Sequence, residues 1–295
     1  MSGRLSILYH AVAFVVVAIW GSTFVFTKLL LLGGLTPAQI FVLRFVIAYL
    51  MLLVFCLWRG IRWVSDSWKD ELLMVLLGLT GGSLYFLTEN SSMNYTTTTN
   101  TSLIVSLCPL VATALISLFY KSQRLNRRQT VGSLMAAVGV ALVVMNGHFV
   151  LHLSPLGDVL AFSAALCWAV YSLLMIPVNR KYDTLFITRK VFFYGLLTMI
   201  PYFIWRPGLG IHLLVQQPGL VWNLLFLGCV ASMLCFLAWN WVLKKLGAVV
   251  ATNYVYFNPV TTIIFAWLIL HEQITLFFIL GTLLILVGMY MADRH

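Results

Sequence analysis

The chain of 295 residues is 62% hydrophobic and only 9% charged, and its formal net charge is +10 at pH 7. So few charged residues cannot cover the surface of a water-soluble protein, and the composition therefore predicts an integral membrane protein. The basic residues are spread over many predicted loops, which excludes a nucleic-acid-binding surface and indicates that they orient the chain in the membrane.

Glycine, proline and charge clusters divide the chain into ten predicted membrane-spanning helices of roughly 20 residues each. In chain order they cover about 8–32, 37–58, 71–92, 97–119, 129–146, 157–176, 185–204, 219–240, 248–270 and 275–292. The first apolar run is longer than the core of a signal peptide, so it is expected to be a permanent span. The predicted fold is all-α, with short connections and no domain outside the membrane.

The basic residues are distributed very unevenly between the two sides of this predicted arrangement. Fifteen of the 18 Lys and Arg residues fall on one side, Arg206 alone falls on the other, and Lys28 and Arg44 lie within spans. Because cytoplasmic loops are enriched in Lys and Arg, both termini are expected to be cytoplasmic. One span too many or too few in the middle of the chain would abolish this asymmetry.

The chain also matches itself at an offset of about 150 residues. The matched pairs are Trp20/Trp168, Phe86/Phe236, Leu87/Leu237, Asn90/Asn240, Pro109/Pro259, Gly132/Gly281 and Gly139/Gly288. These matches predict two five-helix repeats, at 1–147 and 156–295. Because five is an odd number of spans, the second repeat would be inverted relative to the first, an arrangement typical of secondary transporters.

Several segments in both predicted repeats together resemble one known family. They are Ala18-Ile19-Trp20-Gly21-Ser22-Thr23-Phe24, Pro37 with Arg44-Phe45, Leu166-Cys167-Trp168-Ala169-Val170-Tyr171, and Asn258-Pro259-Val260. In order and spacing they resemble the EamA-type ten-helix members of the drug/metabolite transporter superfamily. This resemblance implies a multi-pass carrier of the bacterial inner membrane that exports amino acids or other small metabolites without ATP hydrolysis.

Polar residues at helical spacing predict the faces that turn away from lipid. The third predicted helix has such a face, and the equivalent face of the eighth is largely apolar. These faces consist of Tyr85, Thr88, Glu89 and Ser92 in the third helix, and of Cys235, Ala238, Trp239 and Val242 in the eighth. A cavity between them would suit an amphipathic solute such as an aromatic or apolar amino acid better than a sugar phosphate.

The same reasoning on the other helices predicts a central substrate-binding cavity lined by both halves. Its predicted residues are Trp20, Thr23, Tyr85, Glu89, Ser102, Trp168, Tyr171, Trp239, Thr252, Asn253 and Tyr256. No catalytic residue, metal site or cofactor is predicted. The expected partners are a small-molecule solute and membrane lipid, and a monomer is expected, with a dimer left open.

Glu89 is the only acidic residue well inside a predicted span, and two interpretations of it stay open. An ion pair with Lys28 or Arg44 would make Glu89 structural, whereas an apolar cavity would suit it for proton coupling or for binding a substrate amine. Replacing Glu89 with Gln, alone and together with Lys28→Met, would distinguish the two.

Other classes of function are a membrane enzyme and a receptor or scaffold that does not transport. The six histidines lie near predicted helix ends or in loops, and no nucleophilic or metal-binding set can be assembled from them. No phosphate-binding GxxxxGK[ST] loop is present, which argues against an ATP-driven pump. A receptor would bind a solute without moving it across vesicles.

Overall fold

A computed structural model describes residues 3–120, 126–145, 154–270 and 276–293. Lys121, Arg124 and Arg294, which carry part of the predicted charge asymmetry, lie outside the described residues. Within these ranges the regular structure is helical throughout. The first eight helices are α1 Gly3–Leu32, α2 Pro37–Trp58, α3 Trp68–Gly78, α4 Leu84–Ser92, α5 Thr98–Val105, α6 Cys108–Phe119, α7 Arg127–Met145 and α8 Pro155–Lys181.

Eight further helices complete the described chain. They are α9 Thr184–Leu197, α10 Ile200–Trp205, α11 Ile211–Gln216, α12 Pro218–Leu225, α13 Cys235–Leu246, α14 Ala248–Asn253, α15 Asn258–Leu270 and α16 Leu276–Asp293. The predicted all-α fold is confirmed for the described residues.

Seven helical segments within the described residues are long and apolar enough to cross a membrane. They are Ile7–Leu32, Pro37–Trp58, Trp68–Ser92, Thr98–Phe119, Pro155–Lys181, Pro218–Leu246 and Ala248–Ile269. The other three predicted spans coincide with α7, with α9 and α10 together, and with α16, which do not meet the same test. A multi-pass membrane protein follows from the seven segments.

The starts of two helices show how local sequence sets their boundaries. Before α2, the Gln39 N–H donates to the Thr36 hydroxyl at 3.3 Å, and the Thr36 N–H donates to the Gln39 side chain at 2.9 Å. This reciprocal cap, with Pro37 at the first helical position, is a strong start signal. Gly247, between α13 and α14, has a φ of +82°, which glycine adopts without steric strain.

Three of the long segments depart from regular α-helical geometry in their interiors. Leu79–Ser83 and Phe226–Leu234 are π-helical turns that join α3 to α4 and α12 to α13, and Tyr254–Phe257 is a 3₁₀ turn between α14 and α15. Such irregular turns are frequent at functional sites because they redirect side chains and free backbone groups. All three precede helices that border the centre of the molecule.

The helices on either side of the centre pack closely. α1 packs against α13 and α15, α8 packs against α4 and α6, and α2 packs against the second π-helical turn. A Cβ atom on Gly21 of α1 would lie 1.7 Å from the Thr261 hydroxyl oxygen of α15. Glycine at this position therefore permits the close approach of α1 and α15.

Helices α7 and α16 form a tight pair at the periphery. A Cβ atom on Gly132 would lie 2.6 Å from the Gly288 carbonyl oxygen, and one on Gly139 would lie 2.7 Å from the Gly281 carbonyl oxygen. These glycines therefore form the contact face between the two helices. On the outer surface of the pair, Val138 is exposed.

An ionic cluster binds the start of α3 to the connection between α8 and α9. It consists of Asp70, Glu71, Lys181, Tyr182 and Lys190. Asp70 accepts hydrogen bonds from the Lys181 ammonium at 3.0 Å and from the Tyr182 hydroxyl at 2.9 Å, and Lys190 forms an ion pair with Glu71. Desolvation by burial, the largest effect, raises the pKa of Tyr182.

Arg189 and Lys190 lie inside α9 and are buried, although the sequence analysis counted them with the residues on the basic side of the membrane. Arg189 donates to the carbonyl oxygens of Ile61 and Arg62, in the connection between α2 and α3. Buried cations are retained when such partners satisfy them. Arg189 therefore binds a neighbouring connection, and Lys190 pairs with Glu71 of α3, instead of facing water.

Candidate functional site

A small cavity lies where helices of both predicted halves meet. Its volume is about 30 Å³, which is enough to hold a water molecule. It is lined by Trp20, Thr23, Phe24, Arg44, Tyr85, Phe86, Glu89, Val105, Trp168, Phe236, Val255 and Asn258. An acid, a base and several aromatic rings thus share one buried space, which we call the central cavity.

Helix α4 presents Tyr85 and Glu89 to the central cavity. The residues are four apart and therefore lie on one helical face, and the Tyr85 hydroxyl donates to Glu89 Oε1 at 2.7 Å. One turn further, the Ser92 hydroxyl donates to the Glu89 carbonyl oxygen at 2.9 Å. Because Glu89 is only 6% exposed, the neutral Tyr85 hydroxyl is an important partner for its carboxylate.

Arg44 brings a second buried charge to the central cavity from α2. It is 1% exposed, its Nε donates to the Ser232 hydroxyl at 2.9 Å, and its guanidinium carbon lies 4.5 Å from the centre of the Phe86 ring. A charged residue within a membrane-spanning helix is functional by default because it is costly to bury. From the sequence, Arg44 is predicted only as a possible ion-pair partner of Glu89, and it is not among the predicted site residues.

Lys28 does not pair with Glu89 in the structure. Its ammonium donates to the Met93 carbonyl oxygen at 2.6 Å, just beyond the end of α4. An ammonium can satisfy backbone carbonyls that a helix end leaves without an intrahelical donor. Lys28, one of the two cations considered for an ion pair, is therefore not the partner of Glu89 in this conformation, and the carboxylate accepts from the Tyr85 hydroxyl instead.

Aromatic residues form the apolar wall of the central cavity. The Trp20 ring centre lies 5.3 Å from that of Trp168 and 5.1 Å from that of Trp239, and Phe236 packs against Trp20 and Trp168. The Trp20 indole N–H donates to the Ala231 carbonyl oxygen at 2.9 Å. Rings from both predicted halves therefore contact one another directly beside the two charges.

The predicted site residues divide into those that line the central cavity and those that pack behind it. Trp20, Thr23, Tyr85, Glu89 and Trp168 are lining residues. Other lining residues are not among those predicted from the sequence: Phe24, Arg44, Phe86, Val105, Phe236, Val255 and Asn258. Two of these residues carry a signal in the sequence. Phe236 belongs to a repeat match, and Asn258 belongs to a segment that resembles the family.

Two predicted site residues lie directly behind the lining. Trp239 is fully buried against Trp20 and Trp168. Tyr171 packs on Trp168, and its hydroxyl donates to Asn240 Oδ1 at 2.5 Å. Both residues support the aromatic wall without bordering the cavity in this conformation.

The remaining predicted site residues are buried near the 3₁₀ turn and in α5. The hydroxyls of Ser102 and Thr262 are 3.2 Å apart, and Thr252 donates to the Ala248 carbonyl oxygen at 2.8 Å. Among the described residues, neither amide atom of Asn253 has a hydrogen-bond partner, and Tyr256 is fully buried. These side chains belong to the packed interior of this conformation and not to the cavity lining.

Comparisons with known proteins agree with this arrangement. The EamA-like transporter family matches the chain twice, at residues 7–145 and 155–292. An uncharacterized transporter of Archaeoglobus fulgidus is 29% identical over 97% of this chain and 98% of its own length. The uncharacterized transporter YoaV of Bacillus subtilis is 28% identical over 94% of this chain and 93% of its own length.

A solved crystal structure shares the fold, with a TM-score of 0.73 and 19% sequence identity over 96% of this chain and 95% of that one. The names of the family and of the relatives are those of transporters and not of enzymes. With the family matched over nearly the whole length, the chain is a membrane transporter that belongs to the EamA-like transporter family.

Proposed function

We propose that the protein is a secondary transporter that exports small metabolites, such as amino acids, by alternating access without ATP hydrolysis. The observation that carries this proposal is a charged, aromatic cavity enclosed between helices of both family matches. All of its lining residues except Trp20 are buried, so the helices must separate to admit a solute. Transporters of inverted-repeat design bind their solute at such a central interface.

The proposed transporter has ten spans arranged as two inverted five-helix repeats, at 1–147 and 156–295. Equivalent contacts in the two halves support this arrangement. The Asn90 side-chain amide donates to the Pro37 carbonyl oxygen at 3.4 Å, and the Asn240 amide donates to the Thr188 hydroxyl at 2.9 Å. Each asparagine thus contacts the beginning of the second helix of its own half.

The two π-helical turns also support a duplication. Leu79–Ser83 precedes α4, and Phe226–Leu234 precedes α13. Ser232, the partner of Arg44, lies within the second turn. The second turn therefore contacts a lining residue of the proposed solute site, and the first ends two residues before the lining residue Tyr85.

The proposed location is the bacterial inner membrane, with both termini on the cytoplasmic side. The ionic cluster supports this orientation because its members come from segments that the charge asymmetry assigns to one side. Reporter fusions after Arg128 and after Gln216 test it. The expected result is a cytoplasmic reporter for the first fusion and an external reporter for the second, and the same side for both would overturn the ten-span topology.

The proposed solute site includes the lining residues and the predicted residues packed behind them. Ser102, Thr252, Asn253 and Tyr256 are expected to reach the solute when the helices separate. Single cysteines at these positions, in a background without the native cysteines, should react with water-soluble thiol reagents and be protected by solute. The lining comes from one chain, so a monomer contains the whole proposed site.

Counterflow in proteoliposomes tests transport directly. Vesicles loaded with each of a panel of amino acids should accumulate the labelled amino acid from outside, with and without an imposed pH gradient. Protein-free vesicles and vesicles with heat-unfolded protein serve as controls. Solute binding without counterflow would instead favour the receptor or scaffold alternative.

A further inference from the structure

Two opposite charges face the central cavity without forming a direct ion pair. Among the described residues, no nitrogen of Arg44 lies within 4.0 Å of a carboxylate oxygen of Glu89. Each charge instead has a neutral hydroxyl partner, Ser232 for Arg44 and Tyr85 for Glu89. A buried acid and a buried base are thus held apart across one space.

Both charged groups retain unused hydrogen-bonding capacity. A guanidinium has five N–H donors, and in the described chain only the Nε donor of Arg44 has a hydrogen-bond acceptor. The Glu89 carboxylate accepts through Oε1 from Tyr85, and no described residue donates to Oε2. The terminal Arg44 nitrogens and Glu89 Oε2 are not among the fully buried atoms that lack a hydrogen-bond partner. Each of these atoms therefore keeps some accessible surface. The free capacity of both groups is therefore available to a molecule in the cavity.

A charge balance follows from this arrangement. A solute with one cationic and one anionic group would give Glu89 and Arg44 a partner each. A solute with a single charge would leave the opposite protein charge buried without a counter-charge, which is unfavourable. Sites with buried polar groups discriminate strongly against ligands that leave those groups unpaired.

The walls between the two charges are apolar. Trp20 and Trp168 contact each other edge to face, and Phe236 packs against both rings. Aromatic rings provide a large apolar contact area for a ligand side chain. The lining therefore combines two charged positions with an apolar surface.

We propose that Arg44 binds the carboxylate and Glu89 the ammonium group of a small zwitterion with an apolar side chain. This inference rests on the proposed function, because it assigns the solute class to the same central cavity. It makes the two residues determinants of specificity. The unmodified amino and carboxyl groups of the solute are both required.

A set of solutes that differ only in charge tests the proposal in wild-type protein. L-phenylalanine, 2-phenylethylamine and 3-phenylpropanoate form one set, and L-leucine with its corresponding amine and carboxylate forms a smaller one. Binding is measured by equilibrium titration in lipid nanodiscs, separately from transport. At least about tenfold tighter binding of one zwitterion than of its singly charged analogues is expected.

Charge-neutralising variants then identify the two positions. Arg44→Gln should weaken zwitterion binding at least about tenfold and shift the preference towards the amine, and Glu89→Gln should shift it towards the carboxylate. Thr188→Val is the matched control, because it removes a buried hydrogen bond to Asn240 away from the cavity lining. If Arg44→Gln does not fold, Arg44→Lys keeps the charge and removes the planar fork, and it should still weaken carboxylate binding.

Equal binding of zwitterions and singly charged analogues to wild-type protein would overturn the proposal, as would no zwitterion binding in either set. Unchanged preferences in folded Arg44 and Glu89 variants would also overturn it. Counterflow that neither variant alters would leave the proposed transport function intact while removing this inference. Zwitterion binding with the expected variant effects but without counterflow would retain the inference and reject transport.

Discussion

Helices α4 and α13 occupy equivalent places in the two family matches but present different chemistry to the interior. At an offset of 150 residues, Tyr85 corresponds to Cys235 and Glu89 corresponds to Trp239. The α4 pair forms a hydrogen bond at the central cavity, whereas Trp239 packs fully buried behind it. One helix presents polar groups to the central cavity, and the other supplies volume that supports the aromatic wall.

This difference shows how a duplicated helix can take on two functions. A buried polar pair contributes little net stability, because its hydrogen bond replaces bonds to water or to other partners. A large buried ring contributes many packing contacts, whose loss leaves a cavity. Substitutions at equivalent positions should therefore reduce stability in α13 and reduce transport in α4.

The largest expected effect is on the stability of α13. Trp239→Ala should destabilise the folded protein by about 3 kcal/mol or more, because it leaves a large cavity against Trp20 and Trp168. Thermal unfolding in detergent measures the change. Trp222→Ala is the matched control, since Trp222 is 74% exposed. Equal unfolding temperatures for the two variants would contradict a supporting role for Trp239.

The next largest effect is expected on transport through α4. Tyr85→Phe removes the hydroxyl that donates to Glu89, so the carboxylate that we propose binds the solute is no longer held in place. The half-saturating solute concentration in counterflow should rise at least about tenfold. Cys235→Ala, at the equivalent position of α13, should leave it unchanged. A similar loss in both variants would remove the distinction between the two helices.

A smaller effect on stability is expected one turn further along α13. Val242 is fully buried, and Val242→Ala should destabilise the protein by about 1–2 kcal/mol through lost packing. Transport per folded molecule should remain within about twofold of wild type, because a shift of that size is below 1 kcal/mol. Counterflow normalised to folded protein in the vesicles checks this. A selective loss of transport would mean that Val242 contacts the solute.

The smallest effect is expected at Ser92, the equivalent of Val242 in α4. Its hydroxyl lies 2.8 Å from that of Thr101, and hydrogen bonds between membrane helices contribute about 0.6 kcal/mol on average. Ser92→Ala and Thr101→Val, singly and together, should give a coupling free energy of about that size in thermal unfolding. Additive effects would show that the two hydroxyls do not stabilise each other.

The sequence predicted the helices and half of the site for physical reasons. Apolar runs bounded by Gly, Pro and charge identify helices because the chain must satisfy its backbone within lipid. Helical spacing identified the face of Tyr85 and Glu89, and both residues line the central cavity. In this part of the molecule, local pattern and final position coincide.

The remaining features depend on contacts between distant segments. The partners of Arg44 and Lys28 are the Ser232 hydroxyl and the Met93 carbonyl, which no spacing along the chain indicates. The burial of Arg189 in α9 depends equally on carbonyl groups of another connection. Periodicity reports which face of a helix is polar, but it does not report which neighbour satisfies each group.

The glycine contacts between α7 and α16 have a mechanical consequence. The backbones touch at Gly132 with Gly288 and at Gly139 with Gly281, so no side chain separates the helices at either level. A shift by one residue along the pair would place larger side chains opposite each other and force the backbones apart. Two such levels fix the register of the pair. We therefore expect α7 and α16 to move together as one rigid unit and not to slide past each other.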